Sequence, residues 1–307
     1  MTRLPALAVG CALLSSLSWG FGISAVKHAL GYLPPAHLLL VQLVFSALVI
    51  ALLAAVQGAP RPSLRQALLG SATGILEFGL GYGVGTIGLY LTTASNTSLI
   101  STTEPFFVLV LAWLILREPM TRLMAACGIA AAAGLVMVVA PDMSHARLTL
   151  LGGDALLLMQ YFCGGLYAIV SRRIVAGIAP LVLCALQFAA GSVFVLALVA
   201  AAQPLGLIGD WPELTMTALL WALFSGMLQF ALPFWLHLVA LRHMPASIFS
   251  FFLALVPVFG VIGAMLFLGE RLGAIQIAGG VLLVGALLAV ARQHDAHGAD
   301  EHAVSGR

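Results

Sequence analysis

The chain contains an internal repeat, and this repeat constrains its fold more than any other feature of the sequence. Residues 94–139 align without a gap on residues 246–291, at a constant offset of 152. Residues of several chemical types stay in register: Ala94, Ser95, Ser98, Pro105, Phe107, Glu118, Gly128 and Leu135 fall on Ala246, Ser247, Ser250, Pro257, Phe259, Glu270, Gly280 and Leu287. Chance similarity between two apolar segments would not preserve Ser, Pro, Glu and Gly together, so a duplication is the better explanation.

The duplication extends toward the N-terminus at a second offset of 145. There Gly20, Lys27, Pro35 and Gln42 fall on Gly165, Arg172, Pro180 and Gln187. Almost the whole chain therefore consists of two related halves. We predict a first repeat over residues 1–145, a second over residues 146–291 and a polar cytoplasmic tail over residues 292–307.

The composition places both halves in a membrane. Hydrophobic residues make up 62% of the chain and charged residues only 8%, whereas about a quarter of a soluble domain is charged. The net charge of +2 is spread over isolated loop residues, which excludes a nucleic-acid-binding surface. The four cysteines lie inside apolar segments without metal-binding spacing, so the sequence predicts neither a metal site nor a cofactor.

Apolar stretches of about 20 residues, long enough to cross a bilayer, recur about ten times. The predicted spans are 6–27, 36–57, 67–91, 95–116, 121–140, 149–171, 179–202, 214–240, 246–268 and 272–291. Turn-forming and charged residues separate them, as at Pro34-Pro35, Arg117-Glu118-Pro119 and Pro141-Asp142.

The basic residues indicate the orientation of these spans. With the N-terminus inside, 10 of the 13 Lys and Arg residues are cytoplasmic, and only Lys27, Arg147 and Arg271 lie outside. Both termini are thus predicted in the cytoplasm. Because each repeat has five spans, an odd number, the second repeat is inverted relative to the first. The predicted fold is an all-α polytopic membrane protein of about ten transmembrane helices in two inverted five-helix repeats, an architecture typical of alternating-access transporters.

Two carboxylates lie within predicted spans. Glu77 shares a helix face with several glycines, and Glu104 precedes Pro105 on one face with Thr97 and Ser101. A charged group in hydrocarbon is costly, so both side chains are expected to face the interior of the bundle. We predict that they bind solute or carry protons. The alternative is a structural role, as hydrogen bonds between helices or as partners for backbone groups exposed by a kink.

Prolines interrupt three of the spans, at Pro105, Pro233 and Pro257. Proline removes a backbone donor and kinks a helix, and broken helices at equivalent places in two repeats indicate a transport site. We predict hinges or kinks at these positions. The other polar residues predicted to line the substrate pathway are Trp19, Gln42, Tyr82, Ser101, Gln160, Tyr167, Gln187 and Gln229, for each of which helix packing is the alternative role.

These residues together resemble the EamA-type branch of the drug/metabolite transporter superfamily, over nearly all of residues 6–291. The first half carries the resemblance in Trp19-Gly20 followed by Lys27, Ala94-Ser95 leading to Glu104-Pro105, and Leu116-Arg117-Glu118-Pro119. The second half carries it in Gly152-Gly153-Asp154, Tyr167 with Ser171-Arg172-Arg173, Ala246-Ser247, Pro257 and Leu268-Gly269-Glu270-Arg271.

The resemblance implies a central cavity lined by spans 1–4 and 6–9, peripheral spans 5 and 10, and export of small metabolites such as amino acids. Two positions depart from the family pattern, because Gln42 stands where Arg is frequent and Gly164 where Trp is frequent. Glu118 and Glu270 end spans 4 and 9, where a carboxylate opposes the helix dipole. Each is therefore expected to pair with a base or to cap the next helix.

The sequence thus predicts a secondary transporter in the inner membrane that exports small metabolites, amino acids or related compounds, by alternating access. Its partners would be a small-molecule solute, the lipid bilayer and protons, and its oligomeric state is open. No nucleotide-binding segment is evident, so Glu77 and Glu104 are the candidates for proton coupling. The alternatives are an intramembrane enzyme, for which no converged nucleophile and base are recognisable, and a membrane sensor, for which no soluble domain is evident.

Overall fold

The computed structural model describes residues 6–116, 122–144, 148–174, 178–243, 252–253, 255–286 and 288–289. These residues form helices and short connections, with no strand among them. The α-helices are α1 (Ala6–Ala29), α2 (Pro35–Val56), α3 (Leu64–Gly74), α4 (Tyr82–Leu91), α5 (Ala94–Ile100), α6 (Glu104–Leu111), α7 (Arg122–Ser144), α8 (Leu148–Ile174), α9 (Pro180–Ala202), α10 (Met216–Gly226), α11 (Leu232–His243), α12 (Val256–Leu268) and α13 (Ala274–Ala286).

Irregular helical turns join several of these helices into continuous rods. A 3₁₀ turn, Ser101–Thr103, joins α5 to α6. π-helical segments follow α3, α6 and α10: Ile75–Gly81, Ala112–Leu116 and Met227–Ala231. Counted as rods, the described residues form ten helical stretches, in agreement with the predicted two five-helix repeats.

Length and composition support membrane insertion of these rods. Five of them are long and apolar enough to cross a bilayer: Ala6–Ala29, Pro35–Val56, Leu64–Leu91, Pro180–Ala202 and Met216–His237. Shorter apolar helices occur at Ala125–Val138, Val256–Leu268 and Ala274–Ala286. Capping residues fix where some of the helices begin. At the start of α3, the Ser63 hydroxyl accepts a hydrogen bond from the Gln66 backbone N–H at 3.3 Å and forms a capping box with Gln66.

The duplication is visible in the backbone. The π-helical segments after α3 and α10 begin at Ile75 and Met227, which are equivalent at the offset of 152. They place Glu77 and Gln229, also equivalent residues, on corresponding turns of the two repeats. A π segment inserts an extra residue into a helical turn and is frequent at functional sites.

Contacts between the repeats are also paired. Gly74 of α3 packs against the backbone of Gln187 in α9, and its equivalent Gly226 packs against Gln42 in α2. At Gly226 a Cβ would lie 3.1 Å from the Gln42 Cα, and at Gly74 it would overlap the Gln187 backbone. Each repeat therefore inserts a glycine where a helix of the other repeat passes, which allows close packing without a strong hydrophobic driving force in lipid.

Aromatic residues fill the centre between the repeats. Phe78 and its equivalent Phe230 are almost fully buried, and their ring centroids lie 6.2 Å apart in an edge-to-face arrangement. Phe188 and Phe234 extend this cluster. At the margin, α7 packs on α13 through Gly134 and Gly279, and a Cβ at Gly134 would lie 2.8 Å from the Gly279 carbonyl oxygen.

The end of the fifth span lies a few residues beyond its predicted position. α7 continues past the predicted break at Pro141-Asp142 to Ser144. Pro141 lies near the helix end, so its missing N–H removes only the hydrogen bond to the Met137 carbonyl oxygen. Span 9 was predicted to begin at residue 246, which lies outside the described residues, as do Glu118 and the tail over 292–307.

Candidate functional site

A small polar cavity lies among the helices of the two repeats. Its volume is about 30 Å³, which holds one or two water molecules but no metabolite. The cavity is lined by residues of α1, α2, α4, α5 and α8 and of the π segment Met227–Ala231. The polar residues of the wall are Gln42, Tyr82, Thr86, Thr97, Gln160, Tyr161 and Gln229. In this conformation the cavity between the repeats is therefore too small to hold a solute.

Four of the predicted pathway residues line this cavity: Gln42, Tyr82, Gln160 and Gln229. Gln42 donates its amide nitrogen to the Ser225 hydroxyl at 2.7 Å, across the boundary between the repeats. Gln229 makes a longer contact of 3.5 Å with the Tyr82 hydroxyl, again between repeats. Hydrogen bonds made by residues of the cavity wall therefore connect the two repeats at their centre.

A glycine makes room for Gln160 in this wall. Gln160 lies against Gly85 of α4, where a Cβ would overlap the Gln160 side chain. The close contact continues one turn further along the same helix pair, since a Cβ at Gly88 would lie 2.8 Å from the Gly153 carbonyl oxygen. The glycine face predicted for the third span thus packs against α8 and positions Gln160.

The two intramembrane carboxylates lie close to the cavity. Glu77 is 6% exposed, within the first π segment, and Glu104 begins α6. The Glu104 carboxylate contacts α8, where a Cβ at Gly164 would lie 2.8 Å from its Oε1. The Glu77 carboxylate reaches the same part of α8, since a Cβ at Gly81, which precedes Tyr82, would lie 3.5 Å from the Glu77 Oε2 and 3.2 Å from the Cys163 Cβ. The structure therefore brings together the two acids and one wall residue.

The remaining predicted pathway residues lie away from this cavity. Trp19 packs edge-to-face on Phe234, with ring centroids 5.2 Å apart. The Ser101 hydroxyl donates to the Ser98 carbonyl oxygen at 2.7 Å within its own helix. Tyr167 donates to the Gln187 oxygen at 3.1 Å. In this state of the protein these four side chains make packing or structural contacts.

Sequence reasoning does not identify two polar residues of the site. Tyr161 lines the cavity and donates to the Thr97 carbonyl oxygen at 3.2 Å. Ser225 fixes the Gln42 amide. The signal for Tyr161 is weak because it follows Gln160, and adjacent residues of a helix point about 100° apart, so a sequence pattern would select only one of them. A serine in an apolar span gives no signal of its own.

Charged residues close one end of the bundle, which we term the Lys27 end and define by Lys27, Glu270 and the turn Thr92-Thr93 between α4 and α5. The Lys27 ammonium donates to the carbonyl oxygens of Leu89 at 2.7 Å and Tyr90 at 3.0 Å, and to that of Thr92. A cation at the last carbonyls of α4 is favoured by the helix dipole. Lys27 therefore ties α1 to the end of α4.

Glu270 completes this closure from the second repeat. Its carboxylate accepts from the backbone N–H groups of Ala94 at 2.9 Å and Ser95 at 2.8 Å, at the first turn of α5. Gly269 ends α12 with a left-handed φ of 67°, which turns the chain so that Glu270 follows outside the helix. Of the two expected roles, pairing with a base or capping the next helix, the capping is found at a different helix, because Glu270 caps α5 of the other repeat. Its carboxylate also interacts electrostatically with a base, Lys27.

The backbone is irregular before each of the three prolines. The 3₁₀ turn Ser101–Thr103 precedes Pro105, the π segment Met227–Ala231 precedes Pro233, and a turn at Leu255 precedes Pro257. Proline cannot donate to the preceding helical turn, which accounts for local rearrangement of the hydrogen bonds. That these positions act as hinges stays a prediction.

Two apolar repeats that enclose a polar cavity, with charged groups at the helix ends, define a multi-pass membrane transporter. The chain belongs to the EamA-like transporter family, whose profile matches residues 6–140 and again residues 151–292. The family members are transporters and not enzymes. The predicted family resemblance is therefore confirmed, and so is the two-repeat architecture.

Curated relatives are similar over part of their length. Threonine/homoserine exporter RhtA from Salmonella typhimurium strain SL1344 is 31% identical over 136 residues, and the protein of the same name from strain LT2 has the same identity over the same length. The aligned segment covers 44% of this chain and 43% of each relative. A crystal structure with 15% sequence identity has the same fold, at a TM-score of 0.64 over 93% of this chain and 98% of the other.

Proposed function

We propose that this protein is a secondary transporter that exports small metabolites, amino acids or related compounds, by alternating access between its two inverted repeats. One observation carries the proposal: the repeats enclose a polar cavity at their centre, while charged residues from both repeats close one end. A relative named as a threonine/homoserine exporter supports amino acids as the solute class.

Proton coupling would supply the driving force. Glu77 and Glu104 are buried neighbours in the membrane-spanning part, beside the wall residue Tyr82. Intramembrane carboxylates form proton relays in many transporters. In the proposed cycle, a proton that enters from outside is carried on this carboxyl pair while the solute leaves.

Transport by purified protein in vesicles tests this proposal and the role of Glu77. We expect wild-type protein to move members of a labelled amino-acid panel, at rates that increase when the pH on the external side is lowered. Glu77→Gln removes the proton-binding group at nearly constant shape, so we expect a rate loss of at least tenfold and no remaining pH dependence. Glu213→Gln, in an exposed loop, is the matched control. Unchanged pH dependence in Glu77→Gln would exclude Glu77 as the coupling acid.

Orientation in the inner membrane forms a second part of the proposal. The distribution of the basic residues supports termini on the cytoplasmic side, and in this orientation the Lys27 end lies on the external face. We expect reporter tags at the N- and C-terminus to be protected from external protease in intact cells. Tags that report opposite faces would contradict the inverted arrangement of two five-helix repeats.

A further inference from the structure

The two repeats carry equivalent glutamines whose amide groups are held in the same way. Gln42 donates its nitrogen to Ser225 at 2.7 Å, and Gln187 donates to Thr73, the equivalent of Ser225, at 2.9 Å. Each hydroxyl in turn donates to a backbone carbonyl oxygen, at 2.7 Å for Ser225 and 2.8 Å for Thr73. The hydroxyls must therefore accept from the glutamines, which fixes the orientation of both amides.

The repeats differ in what the glutamine oxygens meet. The Gln187 oxygen accepts from the Tyr167 hydroxyl at 3.1 Å. The equivalent of Tyr167 in the first repeat is Gly22, which has no side chain to donate. The Gln42 oxygen is buried and has no hydrogen-bond partner among the described residues. The first repeat thus has an unpaired acceptor at the place where the second repeat has a completed hydrogen bond.

Other unpaired acceptors lie nearby. The Gln229 oxygen is buried without a partner in the described part of the chain, and it lies 2.6 Å from where a Cβ of Gly22 would be. One carboxylate oxygen of Glu77 is also buried without a hydrogen-bond partner among the described residues. A buried acceptor without a donor is costly, so these atoms call for a donor that the protein does not supply.

The hydroxyl groups of the wall cannot satisfy these acceptors. Thr86 donates to the Tyr82 carbonyl oxygen at 2.7 Å, and Tyr161 donates to the Thr97 carbonyl oxygen. One hydroxyl hydrogen, that of Tyr82, cannot serve three acceptors. The ammonium group of Lys27 in α1 is bound to three carbonyl oxygens at the end of α4. No Lys or Arg is among the residues that line the cavity.

Aromatic rings of the wall favour the same kind of ligand. Tyr82, Tyr161 and Phe230 line the cavity, and the rings of Tyr82 and Phe230 lie 4.7 Å apart at 63°. The face of an aromatic ring attracts an organic cation, most strongly where water is excluded. Acceptor oxygens beside aromatic rings therefore suit an ammonium group, which has three donors and no acceptor.

Resting on the proposed transport function, we infer that the cavity selects its solute by a protonated amine, bound by the oxygens of Gln42 and Gln229 beside the Glu77 and Glu104 carboxylates. A solute carboxylate finds no cationic partner among the described residues of the wall. The substrate class is then organic amines, with amino acids accepted through their ammonium group and not through their carboxylate.

Three compounds that share one hydroxylated skeleton test this inference in wild-type protein. They are homoserine, its decarboxylated analogue 3-aminopropan-1-ol and its deaminated analogue 4-hydroxybutyrate. We expect 3-aminopropan-1-ol to be transported at least as fast as homoserine, and to raise the thermal unfolding midpoint of the detergent-purified protein. We expect 4-hydroxybutyrate to do neither.

A variant pair assigns the effect to the Gln42 amide group. Gln42→Met keeps the length of the side chain but removes the amide, both its acceptor oxygen and its donor to Ser225, and we expect it to raise the KM for 3-aminopropan-1-ol at least tenfold. Gln57→Met is the matched control, because Gln57 is exposed at the end of the same helix, α2. An unchanged KM in folded Gln42→Met protein would overturn the inference.

The outcomes separate this inference from the proposed function. Transport of homoserine or 4-hydroxybutyrate without transport of 3-aminopropan-1-ol overturns the amine selection and leaves the transporter function in place. Absence of transport for all three compounds and for the amino-acid panel contradicts the proposed function, and the inference with it. The thermal measurement uses no variant, so the inference can be contradicted even if Gln42→Met does not fold.

Discussion

Gly20→Ala is expected to remove most folded protein from the membrane, although it adds a single methyl group. Gly20 of α1 lies against α12, and a Cβ there would be 2.5 Å from the Phe259 Cβ, 2.8 Å from the Gly260 backbone nitrogen and 2.9 Å from the Val256 carbonyl oxygen. Two of these atoms belong to the backbone and cannot turn away. Overpacking costs about 1–3 kcal/mol, and a backbone collision lies at the upper end of this range.

The measurement is the amount of folded protein after purification and its thermal unfolding midpoint in detergent. Gly10→Ala is the control, because Gly10 lies in the same helix with open space where a Cβ would be. Alanine also has the higher helix propensity, by about 1 kcal/mol. We therefore expect Gly10→Ala to be as stable as wild type or more stable. Equal stability of Gly20→Ala and Gly10→Ala would show that α1 and α12 do not pack as closely as described.

Glu270→Gln is expected to open the Lys27 end and to impair transport severely. The two carboxylate oxygens accept from two backbone N–H groups, and an amide would point its own NH₂ group at one of them. Hydrogen bonds to a charged group contribute about 1.5–3 kcal/mol each, and loss of one shifts an equilibrium roughly ten- to hundredfold. The open state at this end should therefore gain population at the expense of the closed state.

Thiol labelling can detect this opening. Leu89 is 6% exposed on the cavity wall, so a Leu89→Cys protein should react slowly with a membrane-impermeant reagent applied from the external side. We expect Glu270→Gln to raise that rate at least fivefold, after subtraction of the rate without the introduced cysteine. Glu213→Gln, which removes an exposed carboxylate, should leave the rate unchanged. If Glu270→Gln folds normally, labels slowly and fails to transport, Glu270 has a role beyond closing this end.

The sequence was sufficient for the architecture because membrane insertion leaves few choices. Long apolar segments must be helical to satisfy their backbone groups in lipid, and a duplicated pattern of Ser, Pro, Glu and Gly sets the equivalence of the halves. Of the residues selected by the rule that polar groups in a span face the interior, Gln42, Tyr82, Gln160 and Gln229 line the cavity, and their part in transport stays a prediction.

The same rule could not distinguish Gln42 from Gln187. Both are glutamines at equivalent positions of buried helices, and both donate to a hydroxyl of the facing helix. Their difference lies in a third residue: Tyr167 of α8 donates to the Gln187 oxygen, whereas its equivalent Gly22 of α1 has no side chain that could donate to Gln42. Such a difference becomes visible only through tertiary contacts.

The π-helical segments were also beyond prediction from the sequence. Ile75–Gly81 and Met227–Ala231 each contain a polar residue, Glu77 or Gln229, but this residue does not reveal a π turn, because the extra residue changes the helical phase and not the composition. The helix that Glu270 caps could not be predicted from the sequence either, because the contact joins residues far apart in the chain. The dipole argument required a positive partner for the carboxylate, but the nearest helix N-terminus in space belongs to α5, 175 residues away for Ser95.

The difference between Tyr167 and Gly22 has a consequence for the symmetry of the bundle. Two identical halves would satisfy their equivalent glutamines in the same way. With Tyr167 in one half and Gly22 in the other, the Gln187 oxygen has a donor and the Gln42 oxygen has none among the described residues. A single pair of equivalent residues is thus enough to make the two faces of a duplicated scaffold chemically unequal.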